Sequence, residues 1–180
     1  MKKLSYKVAL GGVIASVEVF IMFLTGFGPL FEYICPMFAG TLMIMIVIEV
    51  SKEWAFATYA AVAMLTIFIT PDKEATMLFI FLFGYYPILK SIIEKIKSRF
   101  VEWVIKITVF NVAVICSYWI LINVFGAGQV LDSLGDWGKY GLLVFLGLGN
   151  ISFIMYDVFW LSSAVNLYVK WFRPKFLRKI

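Results

Sequence analysis

Six runs of mostly apolar residues, each close to the length of a bilayer-crossing helix, follow one another along this chain with short polar breaks between them. A helix needs about 20 such residues to cross the hydrocarbon of a membrane, within a range of about 17–25. The runs read as spans over Val8–Thr25, Ile34–Val50, Trp54–Thr70, Thr76–Ile93, Lys106–Phe125 and Tyr140–Val169. Composition leaves them no other setting. Hydrophobic residues make up 63% of the 180 and charged residues 15%, against about 45–50% and about 25% in a soluble domain. So apolar a chain cannot cover a globule with polar groups, and disorder needs the opposite composition. The expected fold is an all-α integral membrane protein: one domain over residues 1–180, a six-transmembrane-helix bundle in a cell membrane.

The breaks carry recognisable stop and start signals. Gly26, Gly28 and Pro29 close the first span, and Pro36 suits the opening turn of the second. Pro71 and Asp72 leave so short a turn that the third and fourth spans must be antiparallel neighbours. Gly126 to Gly128 end the fifth span, and a polar loop runs from Gln129 to Lys139. Gly147 and Gly149 are expected to loosen the long sixth helix. Lys2, Lys3 and Lys7 ahead of an apolar run resemble a signal peptide, but Glu18 inside that run favours a true membrane helix.

With six spans both termini share a side, and fourteen of the sixteen lysines and arginines fall there, only Lys73 and Lys139 lying opposite. The positive-inside rule then places both termini in the cytoplasm. Trp54, Trp103 and Trp171 sit at cytoplasmic ends of spans and Trp137 at an outer one, as an aromatic belt requires. The formal charge of +5 thus reads as topology and attraction to anionic lipid, with no separate basic domain for nucleic acid. Residues 91–103 place Ile92, Ile93, Ile96, Phe100 and Trp103 at helical spacing among Lys95, Lys97 and Arg99. They predict an amphipathic helix along the cytoplasmic face, resting on lipid or docking a partner.

Several chemistries are excluded. The chain has no histidine, so His-based hydrolysis and His-ligated zinc or haem are out of reach. Cys35 and Cys116 lie in separate apolar runs and suit packing rather than a disulfide or a metal. No phosphate-binding loop is present. No catalytic residue, metal or cofactor is expected, and the chain does not read as an enzyme.

Polar groups at membrane depth default to function. Glu18 lies eleven residues past Lys7 and Asp157 thirteen before Lys170, about 16 and about 20 Å at 1.5 Å per residue. Each can stay protonated, share a proton or cation with the other, or meet the cationic or hydroxyl group of a ligand. Gly147, Asn150, Asp157 and Ala164 share one helix face, as do Thr108, Asn111 and Tyr118. Asn111, Tyr118, Asn150 and Asp157 are therefore expected to line a ligand cavity or to bond helices together. Tyr85 and Tyr86 precede Pro87, which frees a carbonyl near Phe83; a tyrosine hydroxyl can satisfy it or face a ligand. Gly11-x-x-x-Ala15 and Gly12-x-x-x-Ser16 on the first span let another helix approach closely. Ala57, Ala60, Ala61 and Ala63 form a similar face on the third.

The opening Lys7-Val8-Ala9-Leu10-Gly11-Gly12-Val13-Ile14-Ala15-Ser16, the six compact spans and the basic tail resemble the substrate-binding S components of energy-coupling factor transporters. That resemblance implies a micronutrient taken from outside, beneath loops between early helices. It also implies a transmembrane coupling subunit touching Gly11 and Ala15, and cytoplasmic ATPases supplied in trans. Two other classes fit the residues: a membrane scaffold or regulator of membrane enzymes, and a small cation- or proton-coupled carrier using Glu18 and Asp157.

Overall fold

The computed structural model describes residues 4–126 and 140–173. Among them there is no strand, and six helical stretches are long and apolar enough to cross a membrane: Leu4–Phe27, Phe31–Glu49, Lys52–Ile69, Lys73–Ile93, Arg99–Phe125 and Leu143–Phe172. The expected loop from Gln129 to Lys139 with Trp137, the tail beyond Arg173, and Lys2 and Lys3 lie outside the described residues. The chain divides into two compact units, Met1–Val130 and Leu131–Ile180.

In the first unit α1 (Leu4–Phe23) runs into a 3₁₀ turn, Leu24–Phe27, and is followed by α2 (Phe31–Glu49) and α3 (Lys52–Ile69). Then come α4 (Lys73–Leu78), a π-helical turn (Phe79–Phe83), α5 (Tyr86–Ile93) and α6 (Arg99–Phe125). The starts are capped by short polar side chains that satisfy an otherwise orphaned N–H. Asp72 Oδ1 accepts from the Ala75 N–H at 2.6 Å and Ser51 Oγ from that of Trp54 at 3.4 Å. At the end of α6, Gly126 adopts φ 68°, where a side chain would be strained, and its N–H reaches Leu121 O. The second span begins earlier than its proline suggests. Pro36 falls inside α2 and withholds an N–H from the carbonyl one turn before it.

Two apolar clusters form the core where α1 rests on α2 and α3. One gathers Ile14, Met43, Ile46, Ala55 and Ile88; the other Met22, Ala39, Val62, Ala63, Ala75 and Phe79. Small residues set the spacing. A Cβ on Gly11 would come within 3.2 Å of Thr58 Oγ1, so α1 and α3 approach through that glycine. At Gly40 a Cβ would stand 2.0 Å from Phe83 O, so α2 crosses the π turn backbone to backbone.

Pro87 explains the π turn. It has no N–H to return to Phe83, and the helix widens upstream, with the Gly84 N–H donating to Phe79 O at 2.8 Å. Within this turn Ile80 O accepts from the hydroxyl of Tyr59 of α3 at 2.5 Å. Tyr86 is wholly buried, and the Tyr85 ring meets Tyr59 edge-on, centroids 6.0 Å apart.

The helix predicted over 91–103 is also corrected. α5 stops at Ile93, residues 94–98 form a turn, and Ser98 caps α6, accepting from the Val101 N–H at 3.5 Å. Turn bonds from the Lys95 N–H to Ile92 O and from the Ile96 N–H to Ile93 O satisfy the break. The residues of the predicted helix belong to two different spans.

The second unit is described as one helical run: α7 (Gly141–Met155), a π turn (Tyr156–Leu161), α8 (Ser162–Leu167) and a second π turn (Tyr168–Phe172). Gly147 and Gly149 do not loosen it; both lie in regular α7. It widens instead at Tyr156, where the Ser162 hydroxyl donates to Asp157 O at 3.0 Å, five residues back.

Candidate functional site

α2 and α4 both start at the end of the first unit away from Leu4, and α6 runs toward it. The first turn of α2 brings Glu32 and Tyr33, that of α4 brings Glu74, and Asp72 is the α4 cap. α6 packs along α4 with its Ser117 hydroxyl 3.3 Å from Met77 O, and the next residue, Tyr118, reaches up to the α4 start. The Tyr33 hydroxyl donates to Glu74 Oε1 at 2.8 Å and the Tyr118 hydroxyl to the same oxygen at 2.5 Å. Three helices therefore converge on one carboxylate oxygen.

The electrostatics of this end are one-sided. Glu32 feels the negative charges of both Asp72 and Glu74. Lys73 faces elsewhere, its ammonium donating to Ile67 O at 3.0 Å and Thr70 O at 3.3 Å, where it caps the carbonyls ending α3. The loop after α1 borders the cluster through the α3–α4 turn: a Cβ on Gly26 would meet the Pro71 ring at 3.2 Å. Half-buried phenols, acids with no ion-pair partner among the described residues and a loop at the rim suit a polar solute carrying amine, hydroxyl or cationic groups.

At the opposite end the buried cations are paired. The buried Lys106 ammonium lies 2.8 Å from Glu102 and 3.8 Å from Glu94, and 5.2 Å over the Trp103 ring. The buried Lys90 ammonium lies 3.4 Å from Glu94, and that of Lys52 donates to Ser91 O at 3.1 Å. These contacts tie the start of α3 to α5 and the end of α5 to α6.

The residues expected to line one cavity are divided between the units: Asn111 and Tyr118 in the first, Asn150 and Asp157 in the second. Tyr118 reaches the cluster just described. Asn111 turns its amide onto its own helix, donating to Ile107 O at 2.8 Å, as Asn150 does to Leu146 O at 2.7 Å. Asp157 is buried, while Gly147 on the same stripe faces open space. Glu18 is buried in the second half of α1, away from the cluster. Of the small residues on α1, Gly11 packs on α3 and Ala15 against the core, whereas Gly12 and Ser16 are exposed, and a Cβ on Gly12 would meet nothing within 4 Å. Ala57, Ala60 and Ala61 of α3 are exposed as well, and Ala63 is buried. Cys35 is a buried free thiol and Cys116 an exposed one.

Sequence reasoning missed Tyr33, Glu32, Asp72 and Glu74. The signal was there: three acids at span ends on the side that holds only two of the basic residues. No protein-family model matches the chain, and neither a curated protein nor a solved structure shows significant similarity to it.

Proposed function

We propose that this chain is a multi-pass membrane subunit that binds a small solute, presenting Glu74, Tyr33 and Tyr118 to it from the side opposite the termini. The charge asymmetry along the sequence supports cytoplasmic termini, and hence an outward-facing solute site. The observation carrying the reading is the convergence of two phenols from α2 and α6 on one Glu74 oxygen. A carboxylate held this way is oriented before a ligand arrives, and an ammonium or hydroxyl can replace a phenol at it with few groups to reorder. The surplus of Glu32 and Asp72 biases the choice toward cationic or amine-bearing solutes.

The chain has no ATP-binding loop, so energy for uptake comes from partners, as the resemblance to S components implies: a transmembrane coupling subunit and cytoplasmic ATPases. The open Gly12 and Ser16 stripe is the part of α1 left for a partner helix, since Gly11 and Ala15 are occupied within the chain. Thermal-shift screening of the purified chain against vitamins, amines and metal ions tests the reading. A stabilising solute whose effect disappears in Glu74→Gln supports it. A solute that stabilises wild type and Glu74→Gln alike places binding elsewhere.

A further inference from the structure

Glu18 plays no part in that site. It sits in the second half of α1 with no exposed surface, and neither carboxyl oxygen has a hydrogen-bond partner among the described residues. One turn before it Ile14 enters one apolar cluster, and one turn after it Met22 enters the other. Three buried threonines nearby are satisfied locally: the hydroxyls of Thr25, after α1, and of Thr58 and Thr66 on α3 donate to Met22 O, Trp54 O and Ala63 O, whereas the Thr70 hydroxyl at the end of α3 has no partner among the described residues. Glu18 makes no such bond, and a buried polar group left without one calls for an explanation.

Among the described residues of the helices packed around it, the charged groups lie at helix ends. α2 carries Glu32 and Tyr33 in its first turn, Cys35 just beyond, and Glu49 at its last residue. α3 carries Lys52 and Glu53 in its first turn and Tyr59, whose hydroxyl is engaged at Ile80 O. α4 carries Lys73 and Glu74 in its first turn, and α5 has Tyr85 and Tyr86 at its start and Lys90 near its end. An ionised carboxylate here would lose its hydration and gain nothing in exchange. Among the described residues no group of three acidic or sulfur side chains can hold a metal ion, so the cation that fits is a proton. α1 packs along both α2 and α3, and its residues buried against them are Gly11, Ile14, Glu18 and Met22.

We propose that Glu18 is an interior proton-binding site, holding its proton while α1 is packed on α2 and α3 and exchanging it only when α1 separates from them. Any transition that lifts α1 is then coupled to the uptake or release of one proton. This goes beyond the solute site and stands independently of it.

Infrared spectroscopy of the full chain in phosphatidylcholine vesicles tests it. At neutral pH the wild type is expected to show the carbonyl stretch of a neutral carboxyl free of hydrogen bonds. That band should shift on ¹³C-glutamate labelling and be missing from Glu18→Gln. Should Glu18→Gln fail to fold, Glu18→Met replaces it, and the isotope shift in the wild type still assigns the band to glutamate. In D₂O the band should move to its deuterated position far more slowly than mixing, yet completely. Absence of a neutral glutamate band overturns the proposal. So does exchange within the mixing time, which puts the carboxyl in water, or no exchange at all, which makes it a fixed packing group. Glu74→Gln should leave the band untouched, so failure of the solute site and failure of this one are separable.

Discussion

At the Leu4 end of the first unit each buried ammonium has a carboxylate beside it, Lys106 with Glu102 and Lys90 with Glu94. At the other end, among the described residues, the acids outnumber the cations, Lys73 is turned toward the carbonyls of α3, and Glu74 is met by phenols. A buried charge closed by its partner fixes helix ends and leaves nothing for a visitor. An open one, with hydroxyls already aimed at a carboxylate, is a poor way to hold helices and a good way to receive a solute. Both ends are built from the same kinds of residue, so function separates from structure here by pairing and not by composition.

The largest effect should come from the crossing that holds the two ends apart. Gly40→Ala drives a methyl to 2.0 Å from Phe83 O, and neither backbone can yield without shifting a span. A loss of about 4 kcal/mol or more is expected, seen as a collapse of the melting transition in detergent. Survival of Gly40→Ala with an unchanged melting temperature would falsify the close crossing. Gly12→Leu, by contrast, enters open space and should melt like the wild type.

Next in size is the paired end. Glu102→Gln takes from the buried Lys106 ammonium its carboxylate partner at 2.8 Å, and should cost about 3 kcal/mol. Adding Lys106→Met to it should recover most of that loss, because the buried charge is then gone. At the open end Tyr118→Phe removes one neutral donor from a partly buried carboxylate, and about 1 kcal/mol is expected. If Tyr118→Phe destabilises as much as Glu102→Gln, the contrast between the ends fails.

How much of this the sequence disclosed depends on how each residue contrasts with its surroundings. Tyr118, Asn111, Glu18 and Asp157 interrupt apolar runs, so they stood out. Glu74 and Tyr33 sit at span ends among other polar residues and look like ordinary surface; only the convergence of α2, α4 and α6 sets them apart. Pro87 announced a broken helix, but the hydroxyl bound to the widened turn before it comes from Tyr59, and only the packing of α3 alongside reveals that. In 91–103 the apolar spacing continues across the break, and spacing cannot distinguish one helix from two in line. The local signal was Ser98, a good cap followed by an uninterrupted apolar helix. Glu18 was legible as a buried acid; that it lacks a partner is a fact of packing.

The smallest effect is also the one that most sharpens the contrast, because its sign should reverse along the molecule. Added salt screens charge interactions near the surface over about 8–10 Å at physiological ionic strength. At the open end the interactions being screened are repulsions, of Glu32 by Asp72 and Glu74. At the other end they are attractions, between Glu94, half-exposed, and two lysines. Raising salt from low to physiological should therefore slow amide exchange around 72–76 and hasten it around 90–103, each by a few tenths of a kcal/mol. Exchange measured by mass spectrometry on peptides from both regions reads the two signs in one experiment. A shift in the same direction at both ends would mean that the acids near Glu74 are already neutralised, and that this end is as closed as its counterpart.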